Sequence, residues 1–197
     1  MAQTGESTEP PSAAEHLVAA IRQEFPDFRI VPKAGHRLSR AIDLGLKLIT
    51  LGRQQGYLTR YHTVLGDTLY VPTSWAAATD IERMIVLRHE RVHLRQRRRL
   101  GGWLMALVYL VPFLPLGLAY GRARLEWEAY RETLRATAEY LGLATIRSPL
   151  YRARIVGRFT GADYGWMWPF PSVVGRWYDE VVAELGAEPR GGRDHRV

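Results

Sequence analysis

With 197 residues, 47% hydrophobic and 11% aromatic, the chain can bury one sizeable core and is too apolar to be disordered throughout. It contains no cysteine, which excludes disulfides and thiolate metal sites and leaves His, Asp and Glu as ligands for any ion. The net charge of +7 favours an anionic partner but does not by itself choose between a membrane surface and nucleic acid.

The first residues, MAQTGESTEPPSAAEHL, are polar and lack the charged and apolar regions of a secretory signal, so a cytoplasmic chain is expected. Residues 1–11 and 187–197 read as disordered tails flanking a single domain over 12–186. Within it, AAEHLVAAIRQEF carries Leu17, Ile21 and Phe25 on one helical face. FRIVP (28–32) predicts a short strand stopped by Pro32, and RLSRAIDLGLKLITLG predicts a second helix that runs out at Gly52. YHTVL and TLYVP alternate on either side of Gly66-Asp67, a two-residue turn suited to a β-hairpin. Thr79 and Glu82 then have capping-box spacing, so a helix should start near residue 80 and continue to about Arg98. After it come an uncharged apolar stretch and a long helix over about 122–141. A loop rich in Gly, Pro and aromatics (FTGADYGWMWPFP) and a short terminal helix complete an α+β pattern.

The third of these helices holds His89-Glu90-Arg91-Val92-His93. Positions i and i+4 share a helical face one turn apart, so both imidazoles can reach one metal ion, with Glu90 beside it as general base for a water. Chance would place an HExxH in roughly one percent of chains of this composition, so the motif is read as a site. Arg91 puts a charge inside it, where an uncharged residue is usual.

Catalytic zinc takes three protein ligands and a water. RLEWEAYRETLRATAEYL offers Glu126, Glu128 and Glu132, on a helix whose apolar stripe is Trp127, Tyr130, Leu134 and Leu141. At ~100° per residue, Glu126 lies about 60° from the centre of that stripe and Glu128 about 140° away. Glu128 shares its face with Arg131, Glu132, Arg135 and Glu139, a pattern of solvated charge. Glu126 is therefore selected as the third ligand beside His89 and His93. Two His and one Glu suit Zn2+, and would also accept Mn, Co or Ni.

His89-Glu90-x-x-His93 followed by Glu126-x-x-Ala129-Tyr130 resembles the gluzincin metallopeptidases, nearest the branch of the membrane heat-shock proteases and CAAX-prenyl endopeptidases. In that branch HExxH is followed by an E-x-x-A-D segment preceded by arginines, as Arg122 and Arg124 precede Glu126 here. The resemblance covers about residues 60–140. It implies a zincin-like core with a small antiparallel sheet, bound zinc, peptide hydrolysis, the same three ligands and Glu90 as base. The chain departs from it at Tyr130, where the family carries an aspartate that supports a histidine ligand.

Residues 101–121, GGWLMALVYLVPFLPLGLAYG, carry no charge and are long enough for about one membrane crossing. A single crossing would strand Glu126 on the far side of a bilayer ~30 Å thick, so a third ligand there requires the chain to turn back. Pro112 and Pro115 break the run near its middle, and arginines flank both ends, as a hairpin returning to one face needs. The run (100–121 with its entry) is expected either as a peripheral or re-entrant element at the inner face of an anionic membrane, or as a buried hairpin of the core.

His62, on a predicted strand, and His16 and His36, near helix starts, read as structural. Tyr164 is a candidate catalytic donor to a tetrahedral intermediate; alternatively Tyr164, Trp166 and Trp168 pack a C-terminal lid. The arginines from 88 to 99 form either a solvated helix face or a phosphate-contacting patch.

The function expected is that of a zinc-dependent peptidase acting on a peptide or protein, with strand 68–72 offering a sheet edge to an extended substrate. Two alternatives come from other classes. One is a non-catalytic metal-binding, membrane-associated scaffold. The other is a basic DNA-associated metalloprotease, disfavoured because no nucleic-acid motif is present and the arginines border an apolar run.

Overall fold

The computed structural model describes residues 10–33, 62–110, 116–161, 168 and 170–187. Helix α1 (Ala13–Glu24) starts at a capping box, in which the Ser12 hydroxyl accepts from the Glu15 N–H and the Glu15 carboxylate accepts from the Ser12 N–H. Its apolar face buries Ile21, and Phe25 follows it into the core. Strand β1 (Arg29–Pro32) comes next. Strands β2 (Thr63–Leu65) and β3 (Thr68–Val71) form the expected hairpin, with Gly66 at φ 64°, a left-handed backbone that other residues rarely adopt.

The sheet order is β1-β3-β2, with β1 parallel and β2 antiparallel to β3. Two expectations are corrected here. The sheet is mixed rather than antiparallel, because β1 and β3 are joined by a long connection and not by a tight turn, which permits parallel pairing. Strand β3, expected to present an edge, is the central strand with neighbours on both sides. The edges among the described residues belong to β1 and β2.

Helix α2 (Asp80–Leu100) opens at the Thr79–Glu82 capping box, with both hydrogen bonds present, and ends at Gly101, whose φ of 84° stops it. Helix α3 (Gly102–Leu110) follows. Helix α4 (Leu116–Leu141) is longer than expected: it begins inside the apolar run, so the second arm of the expected hairpin is the start of the helix that carries Glu126. Pro112 and Pro115 lie outside the described residues. Among the described residues no helix is long and apolar enough to cross a membrane. Residues 143–160, which carry no element in the sequence pattern, form α5 (Leu143–Arg147) and α6 (Pro149–Thr160), the latter with proline in its first turn. The terminal helix α7 (Pro171–Ala187) has 17 residues and is not short. The helix expected over 37–52, His36, Tyr164, Trp166 and most of both tails fall outside the described residues.

Two cores divide the molecule. One joins α1, the sheet and α2 through Ile21, Phe25, Phe28, Leu69, Val71, Leu87 and Leu94. The other joins α4 to α5, α6 and α7 through Trp127, Tyr130, Leu134, Ile146, Phe159 and Val174. Of the expected α4 stripe, Trp127, Tyr130 and Leu134 are buried, whereas Leu141, at the helix end, is 49% exposed. Helices α2 and α4 pack against each other, and their contact is the seam between the cores.

The arginines of α2 pair with acids of neighbouring elements while much of the run stays solvated, Arg95, Arg98 and Arg99 being more than half exposed. Arg91, Arg95 and Arg98 converge on Glu24 of α1. Arg88 pairs with Glu132 and Glu139 of α4, Arg97 with Asp67 of the hairpin turn, and Arg99 with Glu128. The charge inside the HExxH motif thus points away from the histidines and fastens α2 to α1. Likewise Glu132 and Glu139 face α2 across the seam and are not simply solvated.

Hydrogen bonding from Arg95, and then from Arg91, pulls the Glu24 carboxyl down to about 2 from its ordinary 4.5, against the opposing effect of burial. A folded-state value below the unfolded one means that this contribution to stability is complete above about pH 4.5 and is lost as the pH falls towards 2. Melting curves of wild type and Glu24→Gln should therefore differ at pH 6, with wild type the more stable, and converge as the pH approaches 2. A gap that persists at pH 2 would show that Glu24 stabilises by packing alone.

Candidate metal centre

Helix α2 carries two functions on two faces. Leu87 and Leu94 enter the core against the sheet, while His89, His93 and Gln96 lie on roughly the opposite side, towards α4. On α4, Glu126, Tyr130 and Thr133 follow one another at spacings of four and three and present one face to α2. Glu126 is 5% exposed and His93 is 7% exposed. His89 is partly buried.

The seam brings the three expected ligands together: one donor atom from each of His89, His93 and Glu126 can be chosen so that all lie within 4.8 Å of one another. His93 Nε2 is 3.2 Å from His89 Nε2 and 3.7 Å from Glu126 Oε2. Among the described residues this is the group of metal-capable side chains found. The glutamate selected by helical angle is the one that lies beside the two histidines.

The ring hydrogens can be placed from the surrounding donors. The Thr133 hydroxyl donates to the Ala129 carbonyl (3.3 Å), so the Thr133 oxygen accepts from His89 Nδ1–H at 2.9 Å. The Gln96 amide nitrogen donates to the Leu125 carbonyl (2.8 Å) and to Glu128 Oε2 (2.9 Å). Its oxygen is therefore the atom that accepts from His93 Nδ1–H, at 2.9 Å. A tautomer with hydrogen on Nδ1 satisfies these bonds on both rings, and each Nε2 faces the centre. Glu128, assigned to solvated charge, instead stands behind Gln96, bound on its outer side by Arg99 at 3.2 Å.

Tyr130 stands four residues after Glu126, on the face that α4 turns to α2. Its ring stands edge-on to His89, with centroids 5.0 Å apart, and continues into the core against Phe159. Thr133, about one turn further along, meets His89 Nδ1. Thr133 and Gln96 were missed in the sequence, although Gln96 lies three residues after His93 and Thr133 seven after Glu126, both on the correct faces.

Glu90 is also buried, and burial pushes its carboxyl up to about 7, with His93 and Lys33 acting in the opposite direction and Glu126 adding to the rise. Burial, with help from His93 and then His62, holds the His89 imidazole well below its ordinary range. Lys33, directly after β1, is fully buried; its ammonium donates to Thr63 Oγ1 at 2.9 Å, and its charge acts on both Glu90 and His62. No feature of the sequence singled it out. His62 precedes β2 with its ring edge-on to Trp75, and burial, then Lys33, lowers it to about 4. It acts electrostatically on His89 but is not a member of the ligand group. His16 is exposed on α1, away from the site.

Comparison of the chain with protein-family models, curated proteins and solved structures finds no match.

Proposed function

We propose that the protein is a zinc-dependent peptidase in which His89, His93 and Glu126 hold the ion and Glu90 is the general base. One observation carries this reading. Thr133 and Gln96 meet the Nδ1 atoms, so the two Nε2 atoms and a carboxylate converge in a buried seam. Electron-pair donors brought together at low dielectric repel one another, and a divalent cation converts that repulsion into binding. The HExxH and Glu126 resemblance to gluzincins supports the same assignment, as does the count of three ligands among the described residues, since a catalytic zinc takes three protein ligands and a water.

An ion bound there would supply Lewis-acid polarisation of a water and of the scissile carbonyl. Glu90, on the same turn as His89 and electrostatically coupled to His93 and Glu126, accepts the proton of the attacking water and delivers it to the leaving amide nitrogen. The edge of β2, which packs on α2, is the place for an extended substrate backbone to add, in place of the central β3. Exposed Trp103 (74%) and Leu107 on α3, close to the arginines that end α2, are consistent with a peripheral contact to an anionic membrane surface.

A quenched-fluorescent peptide library tests the activity. Cleavage should stop on treatment with a chelator and return on adding zinc; cleavage that survives complete metal removal would contradict the proposal.

A further inference from the structure

The side chains that meet Nδ1 of the two histidines, Thr133 and Gln96, are both neutral. A carboxylate accepting from a ligating histidine draws the ring proton towards itself and makes the far nitrogen a better donor. Here His89 is met by a hydroxyl and His93 by a carboxamide. Beyond Gln96, on the Nδ1 side of His93, Glu128 is one hydrogen bond further out, and part of its charge is taken up by Arg99.

We propose that Thr133 and Gln96 are positioning residues for the metal ligands, and that their neutrality sets a weaker, more readily exchanged metal site than a directly acid-supported one. This rests on the metal reading above. The positioning follows from the donors: the Thr133 hydrogen is committed to Ala129, and both Gln96 amide hydrogens are committed to Leu125 and Glu128. Neither side chain can therefore rotate to accept from Nε2 or donate to Nδ1 without breaking a buried bond. The neutrality has a functional consequence. With one anionic ligand and two weakly polarised imidazoles, the ion keeps more of its positive charge, favouring Lewis acidity over retention, so loading responds to the metal available.

Zinc affinity of the purified full-length chain, measured by competition with a chromogenic chelator, separates the possibilities. Thr133→Val and Gln96→Leu should each weaken zinc binding by about 10–100-fold, and Thr133→Ser should restore it. Exchanging the acid and the amide in one protein, Gln96→Glu with Glu128→Gln, should tighten binding, because the carboxylate then meets His93 directly. Melting of each metal-free variant reports the fold separately from the affinity. Wild-type affinity in Thr133→Val and Gln96→Leu would overturn the positioning role, and no tightening in the exchanged protein would overturn the role of neutrality. Wild type that binds no zinc at all would instead remove the metal reading on which both depend.

Discussion

Replacing Glu90 by glutamine should lower peptide hydrolysis by about 10²–10⁴-fold, the range supplied by general acid–base catalysis, while leaving zinc content unchanged. The separation of the two readouts follows from the geometry. Glu90 lies between the two histidines in sequence but is not one of the three residues whose donor atoms converge. It lies on α2 between the face that meets the sheet and the face that meets α4, where His93, Glu126 and Lys33 all act on it. Glutamine keeps the shape of the side chain and removes its ability to take a proton. A structural role alone would predict the opposite pattern, with lost stability or lost metal and no selective loss of turnover. Steady-state hydrolysis and metal analysis on the same preparation decide between them, and retention of full activity in Glu90→Gln would remove the residue from the mechanism.

Much of this arrangement was legible in the residues themselves. The capping box at Thr79 and Glu82 located the start of α2, the Gly66-Asp67 turn located the hairpin, and the apolar stripe of α4 distinguished Glu126 from Glu128. Each is a local signal, set by spacing along one element. What was missed depends on contacts between elements. The parallel pairing of β1 with β3 is invisible to local pattern because its partner lies beyond a long connection. Glu128 and Glu132 read as solvated because a helical wheel shows which residues share a face, but not that another helix presents Gln96 and Arg88 to that face. The arginine run on α2 reads as a solvated face or a phosphate-contacting patch because its acids, Glu24, Asp67, Glu128, Glu132 and Glu139, are scattered over α1, α4 and the hairpin turn. Lys33 is the extreme case: a solitary lysine after a strand carries no sign that the fold will bury it completely.

The second large effect concerns Glu126. Its carboxylate is the only anionic member of the ligand group and is almost fully buried beside Trp127, which anchors α4 in the second core through Phe159 and Trp177. Truncation to alanine removes the negative charge that offsets a divalent ion, so the loss of affinity should exceed the roughly 10–100-fold expected for a lost outer partner. The fold should persist, since Trp127 and its contacts are untouched. Glu128 is not a neutral comparison, because it holds Gln96. Glu132, which pairs with Arg88 away from the histidines, is the appropriate one.

Elemental analysis of the purified protein after incubation with zinc and exhaustive dialysis tests the central claim most directly, with wild type, Glu126→Ala and Glu132→Ala prepared side by side. One zinc per chain in wild type and in Glu132→Ala, with Glu126→Ala depleted, is the predicted result. Wild type without zinc, or equal zinc in Glu126→Ala, would contradict a centre built from His89, His93 and Glu126.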